Sequence, residues 1–130
     1  MIYSIEGQRR SLKVEINGET GVFLFAGVSL PENTNSFFEP ILEMIDDYLK
    51  APKEKTVLNF YIEYLNTSSA LFLRRIVMAC ENALDNDQLD VNWHYEKDDE
   101  DIKDFGEDFK SIFKKVEIKL VEIDTNPYTA

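Results

Sequence analysis

Asn66-Thr67-Ser68-Ser69 is the densest run of potentially reactive groups in the chain, with three hydroxyls in four residues. Before it lies Val57-Leu58-Asn59-Phe60-Tyr61-Ile62, rich in β-branched and aromatic residues as a core strand should be. After it, from Ala70, apolar residues recur at helical spacing. The four polar residues therefore occupy a strand-to-helix turn. Free backbone N–H groups at such a junction favour negative charge. Two kinds of chemistry fit. One is helix capping, which takes a single Asn, Thr or Ser and contributes about 1 kcal/mol. The other is phosphate acceptance, because a phosphorylated hydroxyl here meets helix N–H groups and adds about −1.5 to −2 charge to the surface. Four polar residues exceed what one cap uses. A phosphate at this turn would repel a docked partner without disturbing the fold.

Other candidate chemistry is thinner. His94 is the only histidine. A catalytic histidine needs a nucleophile and an orienting group in reach, and no Gly-x-Ser-x-Gly elbow is present. His94 therefore reads as a partly exposed structural residue, with a small enzyme using His94 and nearby carboxylates as a rival reading. The acidic run Glu96-Lys97-Asp98-Asp99-Glu100-Asp101 fails as a calcium loop. With Asp99 as the first ligand, Lys103 and Asp104 fall where an oxygen ligand and a glycine are needed. A solvated acidic loop leading into a helix is the expectation. One cysteine and one histidine are too few for a zinc site. Neither phosphate-cradling glycine pattern occurs, so no metal and no cofactor is expected.

The totals narrow the class. The 130 residues suit one domain with one core. With 25 acidic residues against 14 basic, the formal charge is −11. Such a chain repels phosphate backbones and anionic membrane surfaces, and a partner with a basic patch is its overall complement. No stretch approaches the roughly 20 apolar residues of a membrane helix, and Met1 to Glu6 is too short and polar for a signal peptide. The single Cys80 cannot form an internal disulfide. A cytoplasmic protein, a monomer when free, is the expectation.

The elements that must hold the turn can be read in order. Ile2 to Glu6 suggests a short edge strand, and Leu12-Lys13-Val14-Glu15-Ile16 alternates as a half-buried one. Asn17-Gly18 signals a hairpin returning through Val22 to Val28. Asn33, Thr34 or Asn35 caps a helix whose apolar face is Phe38, Ile41, Leu42, Ile45, Tyr48 and Leu49. Pro40 kinks it if it lies beyond the first turn. The second helix runs from about Ser68 to Leu84, with Ala70, Leu73, Ile76, Val77, Cys80 and Leu84 as core stripe. Leu71, Phe72 and Met78 fall off that stripe and suggest either a contact surface or cover by neighbouring elements. Leu89 to Tyr95 alternates as a strand. Ile102, Phe105, Phe109, Ile112 and Phe113 mark a short helix interrupted by Gly106. Val116 to Ile123 is a last strand, and residues 124–130 read as a loose tail. Strands alternating with helices call for an α/β domain with a mixed sheet, parallel in its inner part, and one layer of helices.

Several motifs carry a resemblance. Tyr64-Leu65-Asn66-Thr67-Ser68-Ser69 resembles the Y-F-N-T-S-S signature of the SiaC family of bacterial regulatory phosphoproteins. Ser29-Leu30-Pro31-Glu32-Asn33 resembles its S-x-P-E-N, followed by Phe37-Phe38-Glu39-Pro40-Ile41-Leu42. Val91-Asn92-Trp93-His94-Tyr95-Glu96 resembles V-N-W-x-Y-E. Asp98-Asp99-Glu100-Asp101 and Gly106-Glu107-Asp108-Phe109 resemble D-D-E-D and G-E-D-F. The match spans about residues 12–123. Val28 stands where the family usually has arginine, and Leu65 where it has phenylalanine.

The resemblance implies a fold like that of STAS domains, the anti-anti-sigma-factor group, with helices mainly on one face of a mixed sheet. It implies a non-enzymatic partner switch in biofilm and cyclic di-GMP signalling. A kinase phosphorylates the threonine, a PP2C-type phosphatase removes the phosphate, and the unphosphorylated form activates a diguanylate cyclase. Carried onto this chain, the acceptor is Thr67, with Ser68 second. Asn66, Ser68, Ser69, Leu71, Phe72 and Arg75 are the expected partner contacts. An anti-anti-sigma-like module that binds a kinase-type anti-sigma factor is the alternative.

Overall fold

The computed structural model describes residues 1–129. Six strands form one sheet in sequence order: β1 (Ile2–Ile5), β2 (Lys13–Asn17), β3 (Val22–Ser29), β4 (Thr56–Leu65), β5 (Leu89–Glu96) and β6 (Ile118–Ile123). β2 runs antiparallel to both its neighbours β1 and β3, and β3 to β6 are mutually parallel. Each parallel step is bridged by a helix: α1 (Thr34–Leu49), α2 (Thr67–Ala83) and α3 (Glu100–Ile112). The three crossovers advance in the same direction along the sheet. Right-handed connection therefore places all three helices on one face. The expected mixed α/β sheet with a single helical layer is what the chain forms.

Alternation decides which side chains meet that layer. Val14 and Ile16, Phe23 and Phe25, Leu58 and Phe60, and Val91 and Trp93 are fully buried beneath the helices. The intervening Lys13, Glu15, Asn59, Tyr61, Asn92 and His94 are only half-buried on the opposite face. Aromatic rings run through the core: Phe25 stacks on Phe60 at 5.1 Å, and Trp93 lies 5.5 Å from Phe109. Cys80 is fully buried on the inner stripe of α2, and burial raises its thiol pKa to about 12.

Two glycines are there for steric reasons. Gly21 turns the hairpin at a φ of +78° that L-residues avoid. Gly106 interrupts no helix. It lies inside α3, where a Cβ would collide with Trp93 Cδ1 and approach Nε1 to 2.7 Å. The same indole donates to the Ile102 carbonyl at 3.0 Å, locking α3 onto β5. Pro40 lies in the second turn of α1, beyond its tolerated position, and both it and Ser36, whose carbonyl loses its helical donor, are exposed.

The expected loose tail is a correction. Asn126 is buried: its side-chain amide donates to the Tyr61 carbonyl at 3.0 Å, and its backbone N–H donates to Glu96 at 2.7 Å. Tyr128 then packs edge-on against Tyr61, with centroids 4.9 Å apart. An exposed-looking polar sequence is tied down because Asn126 satisfies groups on the helix-free face of the sheet. Ala130 lies outside the described residues.

Candidate functional site

The parallel pair β3 and β4 end side by side, Ser29 opposite Leu65. Each then feeds a helix, so the N-termini of α1 and α2 lie together at one edge of the domain. Both are capped by asparagine. Asn33 accepts from the Ser36 N–H at 3.0 Å, and Asn66 accepts from the Ser69 N–H at 2.9 Å. Neither helix has an acidic residue in its first turn, although the chain is rich in them. By contrast, α3 opens with Glu100 and Asp101 behind its Asp99 cap. The paired N-termini of α1 and α2 thus keep their positive partial charge uncompensated by carboxylates in those turns.

The surplus of hydroxyls in Asn66-Thr67-Ser68-Ser69 is now divided into distinct jobs. Ser69 is fully buried; it accepts from the Ser29 hydroxyl at 2.7 Å and donates to the Ser29 carbonyl at 3.1 Å. The Asn66 N–H donates to that same carbonyl at 3.2 Å. Ser68 is exposed but engaged, with its hydroxyl donating to Asn66 Oδ1 at 3.2 Å and lying 2.9 Å from the Thr34 hydroxyl. Thr67 is the first residue of α2 and is exposed. Among the described residues no hydrogen bond holds its hydroxyl. Capping, the link to α1 and sheet anchoring therefore consume Asn66, Ser68 and Ser69 in turn, and leave Thr67.

From Thr67 a stripe of exposed residues runs along α2 at steps of three and four: Leu71, Arg75, Met78 and Asn82. Leu71 keeps 50% of its surface exposed and Met78 39%. With Arg74 and Ala79 they line a shallow groove of about 470 Å³ that contains no carboxylate. The Arg75 guanidinium sits 4.8 Å over the Phe72 ring, which also stacks on Phe38 at 5.0 Å. Phe72 is buried, as is Ser69. Of the residues expected to meet a partner, these two support the surface from within, while Asn66, Ser68, Leu71 and Arg75 lie at least partly on it.

Sequence reasoning missed Ser29 and Thr34 as members of this site. The motif Ser29 to Asn33, which Thr34 directly follows, was visible, but nothing in the sequence shows that this segment folds onto Ser68 and Ser69. Arg74 was also missed as a groove residue, although helical spacing from Thr67 points to it, whereas Met78, read as part of a contact surface, does line the groove.

The remaining candidates lie elsewhere. His94 is on the helix-free face, stacked on Tyr61 at 3.8 Å, with Nδ1 donating to the Phe60 carbonyl at 3.1 Å. Burial lowers its pKa, and the bond to Phe60 only partly opposes this. No hydroxyl of the 66–69 turn is among these partners. Residues 96–101 form an open acidic depression between β5 and α3. Among the described residues no cluster of His, Cys, Asp and Glu could hold a metal ion, and no helix is long and apolar enough to cross a membrane.

Comparison with known proteins finds the same fold. SiaC from Pseudomonas aeruginosa superposes with a TM-score of 0.84 at 20% identity, covering 95% of this chain and 99% of that one. The crystal structure of the diguanylate cyclase SiaD in complex with its activator SiaC, from the same species, matches with a TM-score of 0.86 at 21% identity, over 93% of this chain and 99% of that chain. An uncharacterized protein of Pseudomonas aeruginosa strain UCBPP-PA14 is 24% identical over 107 residues, 82% of this chain and 85% of its own length. The family model described as SiaC family regulatory phosphoprotein matches residues 5–123, so this chain belongs to the SiaC family.

Proposed function

We propose that this protein is a non-enzymatic partner switch: unphosphorylated, it binds and activates a diguanylate cyclase, and phosphorylation of Thr67 releases that partner. The observation that carries this reading is geometric. Thr67, whose hydroxyl none of the described residues holds, heads the same exposed stripe of α2 that presents Leu71, Arg75 and Met78. A partner seated on that stripe covers Thr67 or lies against it. A phosphate there is tolerated by the free protein, because it meets the N-terminus of α2. It obstructs the partner with a hydrated dianion. Family membership and the SiaD–SiaC complex of the structural neighbour support the cyclase as target. The switch then requires a protein kinase and a PP2C-type phosphatase acting on Thr67, in the cytoplasm where cyclic di-GMP is made.

The groove also refines the partner's charge. The net charge of −11 favours a basic partner overall. The α2 groove, with Arg74 and Arg75 and no carboxylate, instead favours an apolar surface edged by acidic groups. Added phosphate would repel such a surface, whereas it would strengthen contact with a basic one.

The test compares wild type with Thr67→Ala and Thr67→Glu in pull-downs from cells, with mass spectrometry of Thr67. Wild type and Thr67→Ala should retain a diguanylate cyclase and raise its activity; Thr67→Glu should not. Phosphate on Thr67→Ala at unchanged level, or normal binding by Thr67→Glu, would refute the switch.

A further inference from the structure

We propose that Thr34 selects the phosphoacceptor: by engaging the Ser68 hydroxyl between the first turns of α1 and α2, it leaves Thr67 as the only open hydroxyl of the turn. This inference rests on the phospho-switch reading.

The turn offers a kinase three adjacent hydroxyls. Ser69 is excluded by full burial. Ser68 and Thr67 are both exposed, so accessibility alone does not separate them. Nor does intrinsic chemistry favour Thr67, since a primary hydroxyl is less hindered than a secondary one.

Hydrogen bonding does separate them. In phosphoryl transfer the hydroxyl oxygen attacks the γ-phosphorus of ATP, the bond to ADP breaks, and the hydroxyl proton passes to the kinase's base. The attacking oxygen needs a free lone pair and its proton within the base's reach. The Ser68 proton points to Asn66 Oδ1 at 3.2 Å. With that proton so directed, the Thr34 hydroxyl at 2.9 Å donates to the Ser68 oxygen. Attack from Ser68 therefore has to turn its proton away from Asn66 while one of the oxygen's two lone pairs is taken by Thr34, and a phosphate formed there pushes into the seam between α1 and α2. Asn66 holds its side of the arrangement firmly, because the same Oδ1 caps α2 through the Ser69 N–H at 2.9 Å. Thr34 is the adjustable member. It lies 34 residues away in sequence, at the head of the other helix.

The experiment expresses six forms in the source organism, with its own kinase, and maps phosphate on residues 66–69 by mass spectrometry: wild type, Thr34→Val, Thr67→Ala, Thr34→Val/Thr67→Ala, Thr34→Ser and Thr34→Ser/Thr67→Ala. Valine keeps the volume of Thr34 and removes its hydroxyl; serine keeps the hydroxyl. Wild type and Thr34→Ser should carry phosphate on Thr67 alone, and Thr34→Val on Thr67 and Ser68. Thr34→Val/Thr67→Ala should gain up to about tenfold more Ser68 phosphate than Thr67→Ala, the rate equivalent of one hydrogen bond. Thr34→Ser/Thr67→Ala should stay as low as Thr67→Ala. Thermal melts confirm that all six are folded. Ser68 phosphate that does not rise with Thr34→Val, in folded protein whose wild type is phosphorylated on Thr67, overturns the role of Thr34 alone. Wild type without phosphate in this turn overturns the switch itself, and the selection with it.

Discussion

The Ser29 hydroxyl donates to the Ser69 hydroxyl at 2.7 Å, across 40 positions of sequence, and both side chains are fully buried. This contact joins the end of β3 to the first turn of α2. It makes two separate sequence motifs into one site. Replacing Ser69 by alanine leaves the Ser29 hydroxyl without its acceptor and the Ser29 carbonyl with one donor fewer. Buried polar groups left unpaired cost about 1–3 kcal/mol. Ser69→Ala should lower the urea midpoint accordingly. Ser68→Ala, at the exposed neighbour, should change stability by no more than about 0.5 kcal/mol.

The α2 stripe predicts separable effects on binding and folding. Leu71→Asp and Arg75→Glu replace exposed groups, so the fold should persist, with Arg75→Glu losing about 0.5–1 kcal/mol from its contact with Phe72. Each should weaken cyclase binding by tenfold or more, about 1.4 kcal/mol. Titration of purified protein against the captured cyclase checks this. Wild-type affinity should also fall as salt rises, because the arginine contribution is screened.

Gly106→Ala sets helix propensity against packing. Alanine favours a helix interior over glycine by about 1 kcal/mol. Here the added Cβ meets the Trp93 indole and comes within 2.9 Å of Leu120. Overpacking of this kind costs about 1–3 kcal/mol. The variant should be less stable by denaturant unfolding, and near-ultraviolet circular dichroism should report a displaced Trp93.

His94 gives the stability a pH dependence of known sign. Burial holds its folded pKa below the ordinary 6.5, so the unfolded chain takes up the proton first. The stability it contributes is complete above about pH 6.5 and is lost as pH falls through the lower folded value. Wild type should therefore lose more stability than His94→Phe between about pH 7 and pH 5, since phenylalanine keeps the stack on Tyr61 without titrating. Parallel urea unfolding at each pH measures the difference.

The sequence by itself determined the elements and their faces. Period-two alternation in Leu12 to Ile16 and Leu89 to Tyr95, and helical spacing in Phe38 to Leu49, are local consequences of which side chains must leave water. The strand-to-helix pattern pointed to the 66–69 turn, and the ordered motifs carried the resemblance to the family. Only the tertiary structure decided how that turn is used. Capping needs one residue, and the local sequence could not say which of four it was or what occupied the others. Ser69 is spent on Ser29 and Ser68 on Thr34, residues brought near by the parallel pairing of β3 with β4, which local chemistry does not encode. Asn126 is held at Tyr61 for the same reason, through a contact spanning 65 positions. Gly106 reads as a helix weakness until Trp93 is placed beside it. Long-range packing assigned the three other polar residues of the turn their partners and left the Thr67 hydroxyl at the surface.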